Sequence, residues 1–269
     1  PRRGGADMID RHLDATRLNE ILNHPSVYPW VHGLIEGPLD VSVAVADRRN
    51  VLLMGEYGGI LFHQHQPGLF EAHTQVLPEG RGAWCQLMTH DALHWMFTKT
   101  DCVEVMTRVP KGNLAARALT KASGLTPRFV NPQGWALNGR IVPAEVFGLT
   151  IQDWIMTAPG LPAVGRAIRN RLRYGTPSVD IGFDDDNNCR HLAAAFDMIS
   201  GGMPEKGVVF FNRWAGMTDQ PPISMLSRKP MAFDFRDVLI VLRASGEFYA
   251  TGTEPLAAPS YDRQDISRG

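Results

Sequence analysis

The sequence predicts an α/β chain built on a mixed, mostly antiparallel sheet. Three observations carry that reading. Between residues 41 and 77 run four short β-rich stretches separated by turn signals, the mark of an antiparallel meander. From residue 83 helical and extended patterns alternate, which calls for a βαβ crossover and hence one parallel strand pair. The irregular stretch "MTAPGLPAVG" at 156–165 then separates this sheet from a small α+β appendage.

In chain order, residues 1–13 read as an N-terminal arm, its "PRRGG" start basic and polar. "DATRLNEILN" has helical spacing at Leu18, Ile21 and Leu22, with Asp14 placed to cap it, and the two prolines of "HPSVYPW" end it. "VSVAVAD", "NVLLMGEY", "GGILFHQHQ" and "LFEAHTQVL" are the predicted strands of the meander. A helix over about 83–98 follows, then the strand "CVEVMTRVP", the helix "NLAARALTKAS" ending at Gly124, and strands within "RFVNPQGWALNGRIV". The first domain thus spans 14–153. An appendage over 154–252 holds the helices "NNCRHLAAAFDMIS" and "PEKGVVFFNRWAG", split by Gly201-Gly202 with Pro204 at a first helical position, and the strands "DVLIVLR" and "EFYATG". An extended tail, 253–269, closes the chain.

Composition narrows the function classes. Lys and Arg number 27 against 28 Asp and Glu, so no global field draws the chain to nucleic acid or to an anionic membrane. The three cysteines, Cys85, Cys102 and Cys189, lie far apart without CxxC spacing, which predicts a reducing, cytoplasmic setting. No apolar run reaches the length of a membrane span, and the first ten residues lack a signal-peptide core. A soluble protein is expected.

The chemistry concentrates around "LPEGRGAWC", residues 77–85. A strand, a glycine-bearing turn and a helix start leave unpaired N–H groups at the positive end of a helix dipole, which suits a phosphate. On the strand before it, Glu71, His73 and Gln75 share one face and Phe70, Ala72, Thr74 and Val76 the other. Glu71 or His73 is therefore placed to act as a base toward a cleft, against the plainer alternative of a wet sheet face. His63 with His65, and His90 with His94, pair at metal-ligand spacing but bring no third ligand, so no metal is expected. "FDDDNN" at 183–188 lacks the glycine and terminal Glu of a calcium loop and reads as a helix cap through Asp186 or Asn187. Val208, Phe211 and Trp214, with Phe210 beside them, read as the core face of a helix in preference to a partner groove.

Taken in order, the first helix, the meander, "FEAHTQVLP", the turn "EGRG", the next helix, "VEVMTRVP" and a helix opening with Asn113 resemble the GNAT family, the acetyl-CoA-dependent N-acetyltransferases. Asn113, Ala116 and Gly124-Leu125 match its habit on that last helix, and "NHPSVYPW" is similar to the bacteriophage-encoded, acetyltransferase-like members. The resemblance covers roughly residues 15–150. It implies a sheet splayed between the strands near 69–77 and 102–109, with helices on both faces. It also implies acetyl-CoA as co-substrate, held through Val76 and Leu77 on the strand, through Arg81, Gly82, Ala83 and Trp84 on the loop, and through Asn113. N-acetyl transfer to an amine is the activity implied.

The chain departs from the family pattern at three positions. Trp84 and Gln86 stand where the loop glycines are expected, and Thr120 stands where a tyrosine acid is frequent. These departures support a second expectation, a structural or accessory component of a bacteriophage virion with weakened or lost catalysis. Such a protein would dock as a homo-oligomer or on phage structural proteins through the helices near 187–216 and the tail.

Overall fold

The computed structural model describes residues 9–162, 165 and 186–217. Seven strands form one sheet: β1 (Asp10–His12), β2 (Val51–Met54), β3 (Gly58–Gln66), β4 (Leu69–Val76), β5 (Glu104–Pro110), β6 (Thr126–Leu137) and β7 (Arg140–Thr150). Their order is β1-β2-β3-β4-β5-β7-β6, and every neighbouring pair is antiparallel except β4–β5. The mixed, mostly antiparallel sheet of the sequence reading is therefore present. The crossover between its parallel strands is α4 (Ala83–Lys99), because parallel neighbours need a long connection.

Two sequence expectations change. "VSVAVAD" is not a strand; Ser42–Ala46 forms a short helix, α3. The Asp40 carboxylate accepts from the backbone N–H and the hydroxyl of Ser42, which starts a helical turn, and Val43 points into solvent, 87% exposed. Local capping outweighs the β preference of the valines here. In the segment read as an arm, Asp10–His12 pairs with Met54–Leu52 as an edge strand.

Helix α1 (Thr16–Leu22) begins where Asp14 accepts from the Thr16 N–H at 2.9 Å and hydroxyl at 2.8 Å. It buries Leu18, Ile21 and Leu22 against Leu52, Met54 and Leu61 of β2 and β3. Each such side chain contributes roughly 1.5–3 kcal/mol on burial. Ile60, Phe62, Phe70 and Val105, which alternate onto the opposite face, are equally buried, so the sheet is covered on both sides. After α1 the chain makes one turn, α2 (Tyr28–Val31), with a proline in its first turn. Helix α5 (Leu114–Ala122) joins β5 to β6, β6 and β7 form a hairpin closed at Asn138-Gly139, and α6 (Ile151–Thr157) follows β7.

The chain divides into two compact units, one of residues up to Met96 with Cys102–Trp154, the other of Phe97–Asp101 with residues from Ile155 on. Within the second, α7 (Asp186–Ser200) and α8 (Pro204–Met217) form a hairpin at Gly201-Gly202. Val208, Phe210 and Phe211 are buried, as a core face requires. Lys206 Nζ donates to the carbonyls of Phe97 at 2.9 Å and Thr100 at 3.1 Å, a cation meeting the last carbonyls of α4. The expected strands at 237–243 and 247–252, residues Phe183, Asp184 and Asp185 of "FDDDNN" and the tail 253–269 lie outside the described residues.

Candidate active site in the β4–β5 wedge

β4 and β5 pair for only three residues, Leu69–Glu71 with Glu104–Met106. β4 continues to Val76 and β5 to Pro110 without further pairing, so the sheet opens as a wedge. The antiparallel ladder with β3 decides which groups line it. Leu77 N–H donates to the Tyr57 carbonyl at 2.9 Å, so Leu77, Gln75, His73 and Glu71 turn their backbone groups toward β3. Ala72, Thr74 and Val76 turn theirs toward β5. The Ala72 carbonyl accepts from the Thr107 hydroxyl at 2.9 Å, a side-chain bridge just beyond the last ladder pair. The backbone groups of Thr74 and Val76 have no partner among the described residues, and they face the opening.

At the mouth, a 3₁₀ turn (Pro78–Gly80) leads into α4. Gly82 has φ +87°, a conformation that costs other residues about 1 kcal/mol or more, and a Cβ there would meet nothing within 4 Å. The N–H groups of Gly82, Ala83, Trp84 and Cys85 have no acceptor among the described residues, whereas Gln86 N–H already donates to the Gly82 carbonyl. Four unpaired donors thus converge on exposed backbone at Gly82 and Ala83. The Trp84 ring packs edge-on against Tyr57, centroids 5.3 Å apart, and lines a separate cavity of about 390 Å³ with Asp10, His12, Arg17, Met54 and Glu56. Arg81 donates to the Ser26 carbonyl at 3.2 Å and ties the α1–α2 connection to this loop.

Inside the wedge region lies a charged cluster that the sequence only half announces. Glu71, 1% exposed, accepts from Arg108 Nε at 2.6 Å and Nη2 at 3.0 Å, and its Oε2 lies 2.7 Å from His65 Nε2. Burial raises the Glu71 carboxyl pKa, but the Arg108 hydrogen bonds, His73 and His65 outweigh it and hold the group below its ordinary value. Glu71 is therefore ionised and fully engaged. His73 sits beside it, Nε2 3.9 Å from Oε1, with no hydrogen bond of its own among the described residues. Burial lowers the His73 pKa and prevails over the attraction of Glu71, so the ring is neutral at pH 7.

The remaining sequence-derived residues occupy different positions. Both backbone groups of Leu77 are engaged, its carbonyl accepting from Gly80 N–H at 3.1 Å. Asn113 Oδ1 accepts from Ala116 N–H at 3.0 Å and caps α5. Thr120 is buried on α5. Cys85 is buried, which raises its thiol pKa and leaves it a poor nucleophile. Among the described residues no cluster of His, Cys, Asp and Glu is arranged to hold a metal ion, and no helix is long and apolar enough to cross a membrane. Sequence reasoning missed Arg108, Thr107 and the carboxamide of Gln75. The signal for Arg108 was present: one cation within "VEVMTRVP", a strand flanked on both sides, requires an anion on a neighbour.

The sheet, its single parallel pair and the opening beyond that pair are the arrangement that the resemblance noted in the sequence implies. No protein-family model and no curated protein matches the sequence. Among solved structures, the chain is similar to a spermidine N-acetyltransferase from Vibrio cholerae in complex with CoA and spermine, 13% identical, TM-score 0.47, over 56% of this chain and 99% of that one. A probable acetyltransferase gives 17% and 0.45 over 55% and 96%. A Salmonella typhimurium protein solved with its cofactor acetyl-CoA gives 17% and 0.43 over 54% and 94%. At these identities and TM-scores the likeness transfers no residue roles and no activity.

Proposed function

We propose that the chain is an acetyl-CoA-dependent N-acetyltransferase of the GNAT family acting on an amine. The observation that carries the reading is the three-residue parallel pairing of β4 and β5, beyond which free backbone groups face an open wedge with a helix N-terminus at its mouth. The amide-bearing pantetheine arm of acetyl-CoA would complete the ladder at Thr74 and Val76, and the pyrophosphate would take the N–H groups of Gly82, Ala83, Trp84 and Cys85. His73 is the base of this proposal. It is neutral, and Glu71 beside Nε2 favours the tautomer with its proton there, leaving the lone pair on Nδ1.

The departures at Trp84, Gln86 and Thr120 bear on this reading in different ways. Gly82 and Ala83 stay exposed while the Trp84 ring packs on Tyr57, so the indole does not cover those two donors. The leaving group is a thiolate, a far weaker base than an alkoxide or an amide anion, so it departs without an obligatory tyrosine acid. The geometry around Trp84 therefore gives no support to a virion component that has lost its cofactor. Calorimetry with acetyl-CoA tests the proposal. Binding with a matching rise in melting temperature is expected; no heat and no melting shift at millimolar ligand would leave only the fold.

A further inference from the structure

Gln75 has a carboxamide that the fold leaves unused. The residue is 7% exposed, its Oε1 is fully buried and unpartnered, and no described residue hydrogen-bonds its side chain. Leaving such a group unpaired costs roughly 1–3 kcal/mol, so a buried orphan in the middle of a strand calls for an explanation. Its neighbours do not supply one. Directly across the ladder is Gly59, with no side chain, over which the thioether of Met54 lies. On the same strand face, two residues earlier, is His73.

We propose that Gln75 receives the acyl acceptor, its Oε1 accepting one N–H of the amine while His73 Nδ1 accepts the other. This inference rests on the N-acetyltransferase reading and adds a residue that positions the acceptor amine. Residues i and i+2 of a strand lie about 6.7 Å apart at Cα. A nitrogen donating to two acceptors at about 2.9 Å each bridges up to about 5.8 Å between them, within reach of two side chains that can lean together. Held by both N–H bonds, the neutral amine has its lone pair left over to point at the thioester carbonyl. The C–N bond forms, the C–S bond breaks, and CoA leaves as thiolate. One amine proton passes to His73 Nδ1 and from there to solvent, and the thiolate takes a proton from solvent, giving amide and CoA thiol. The second N–H never leaves nitrogen. It becomes the N–H of the product amide, still donated to Gln75. A secondary amine has one N–H and satisfies only one of the two acceptors.

The test uses a bisubstrate probe, CoA joined through sulfur to an acetyl group amide-linked to n-butylamine, which carries that surviving N–H. Affinities of this probe and of acetyl-CoA are measured for the full chain, for Gln75→Leu and for Gln75→Glu. The wild type should bind the probe more tightly than acetyl-CoA. Gln75→Leu should lose about tenfold for the probe and nothing for acetyl-CoA, with an unchanged or higher melting temperature. Gln75→Glu, which restores an acceptor, should recover most of the probe's affinity. If acetyl-CoA binds normally and Gln75→Leu keeps its full affinity for the probe, the role of Gln75 is refuted while the N-acetyltransferase reading survives. If the loss is equal for both ligands, Gln75 serves the fold or the cofactor and the inference is equally refuted. A wild type that binds neither ligand overturns the reading and the inference together.

Discussion

The β4–β5 wedge and the α7–α8 hairpin differ in how much polar chemistry they enclose. In the hairpin most buried side chains are apolar: Leu192, Ala193, Ala194 and Ala195 are fully buried, as are Met198 and Phe211, with His191 and one Asp197 carboxylate oxygen enclosed among them. Its turn closes on itself, with Met203 N–H donating to the Met198 carbonyl at 2.8 Å. The wedge holds a buried carboxylate, a partly buried neutral histidine, an orphaned carboxamide and unpaired strand amides. The wedge adds to its buried groups an open row of backbone N–H and C=O groups, which the hairpin lacks among the described residues, and in the proposed function that row is the place where stability is exchanged for binding.

The comparison breaks most visibly at Arg108. Replacing it with Ala leaves Glu71 buried without its principal counter-charge; with the guanidinium partly in solvent and His65 still at 2.7 Å, the expected loss is about 2–3 kcal/mol, below that of a fully buried pair, or about 4–12 °C at roughly 2–4 °C per kcal/mol. Thermal denaturation reads it. The double change Arg108→Met with Glu71→Met should recover most of that loss, because removing both partners leaves no unpaired charge. Recovery would show that the pair is kept for the site.

Next in size is the hairpin itself. A Cβ at Gly207 would collide with the Ile199 side chain and lie 2.7 Å from the Ala195 carbonyl, so α7 and α8 meet there without room for a methyl group. Gly207→Ala should lower stability by a net amount of about 1–2 kcal/mol, overpacking exceeding the gain in helix propensity. Acetyl-CoA affinity should not change. A stabilised variant would mean that the helix gain prevails.

Gly82→Ala tests the mouth of the wedge. Stability should fall by about 1 kcal/mol, the cost of an L-residue at positive φ. Affinity for acetyl-CoA should fall further, by about tenfold, because the strain is relieved by turning the loop donors away from the phosphate. Equal binding to both proteins would show that these N–H groups do not hold the ligand.

Acidification gives the smallest effect. His73 has a folded pKa below its unfolded value of about 6.5, so its contribution is present above that pH and is lost as the pH falls from there toward the folded pKa. Glu71 is likewise depressed, and its contribution fades only below about pH 4.3. Melting temperature should therefore decline in two stages. In His73→Gln the upper stage should shrink while the lower remains.

Much of the first unit was legible in the sequence because its signals are local. The meander, the crossover helix and the helix opening with Asn113 follow from alternation, helical spacing and turn signals, whereas the wedge was implied by the family resemblance. "VSVAVAD" was misread because valine's strand preference is weaker than the turn set up by Asp40 and Ser42. The site was legible as a face, Glu71 with His73 and Gln75, but not as a division of labour. Which carboxylate is neutralised depends on Arg108, 37 residues away. That Leu77 is engaged while Thr74 and Val76 are free depends on the β3 register. Neither relation has a local sequence signature.

Amide hydrogen exchange along β4 tests the central claim most directly. In the free protein the N–H groups of Thr74 and Val76 should exchange rapidly, while those of His73 and Gln75, bonded to β3, should be protected. Addition of saturating acetyl-CoA should slow Thr74, Val76, Gly82 and Ala83 together and leave His73 and Gln75 nearly unchanged. Acetyl-CoA binding that protects none of these four amides would contradict the account, because the ligand would then lie outside the wedge.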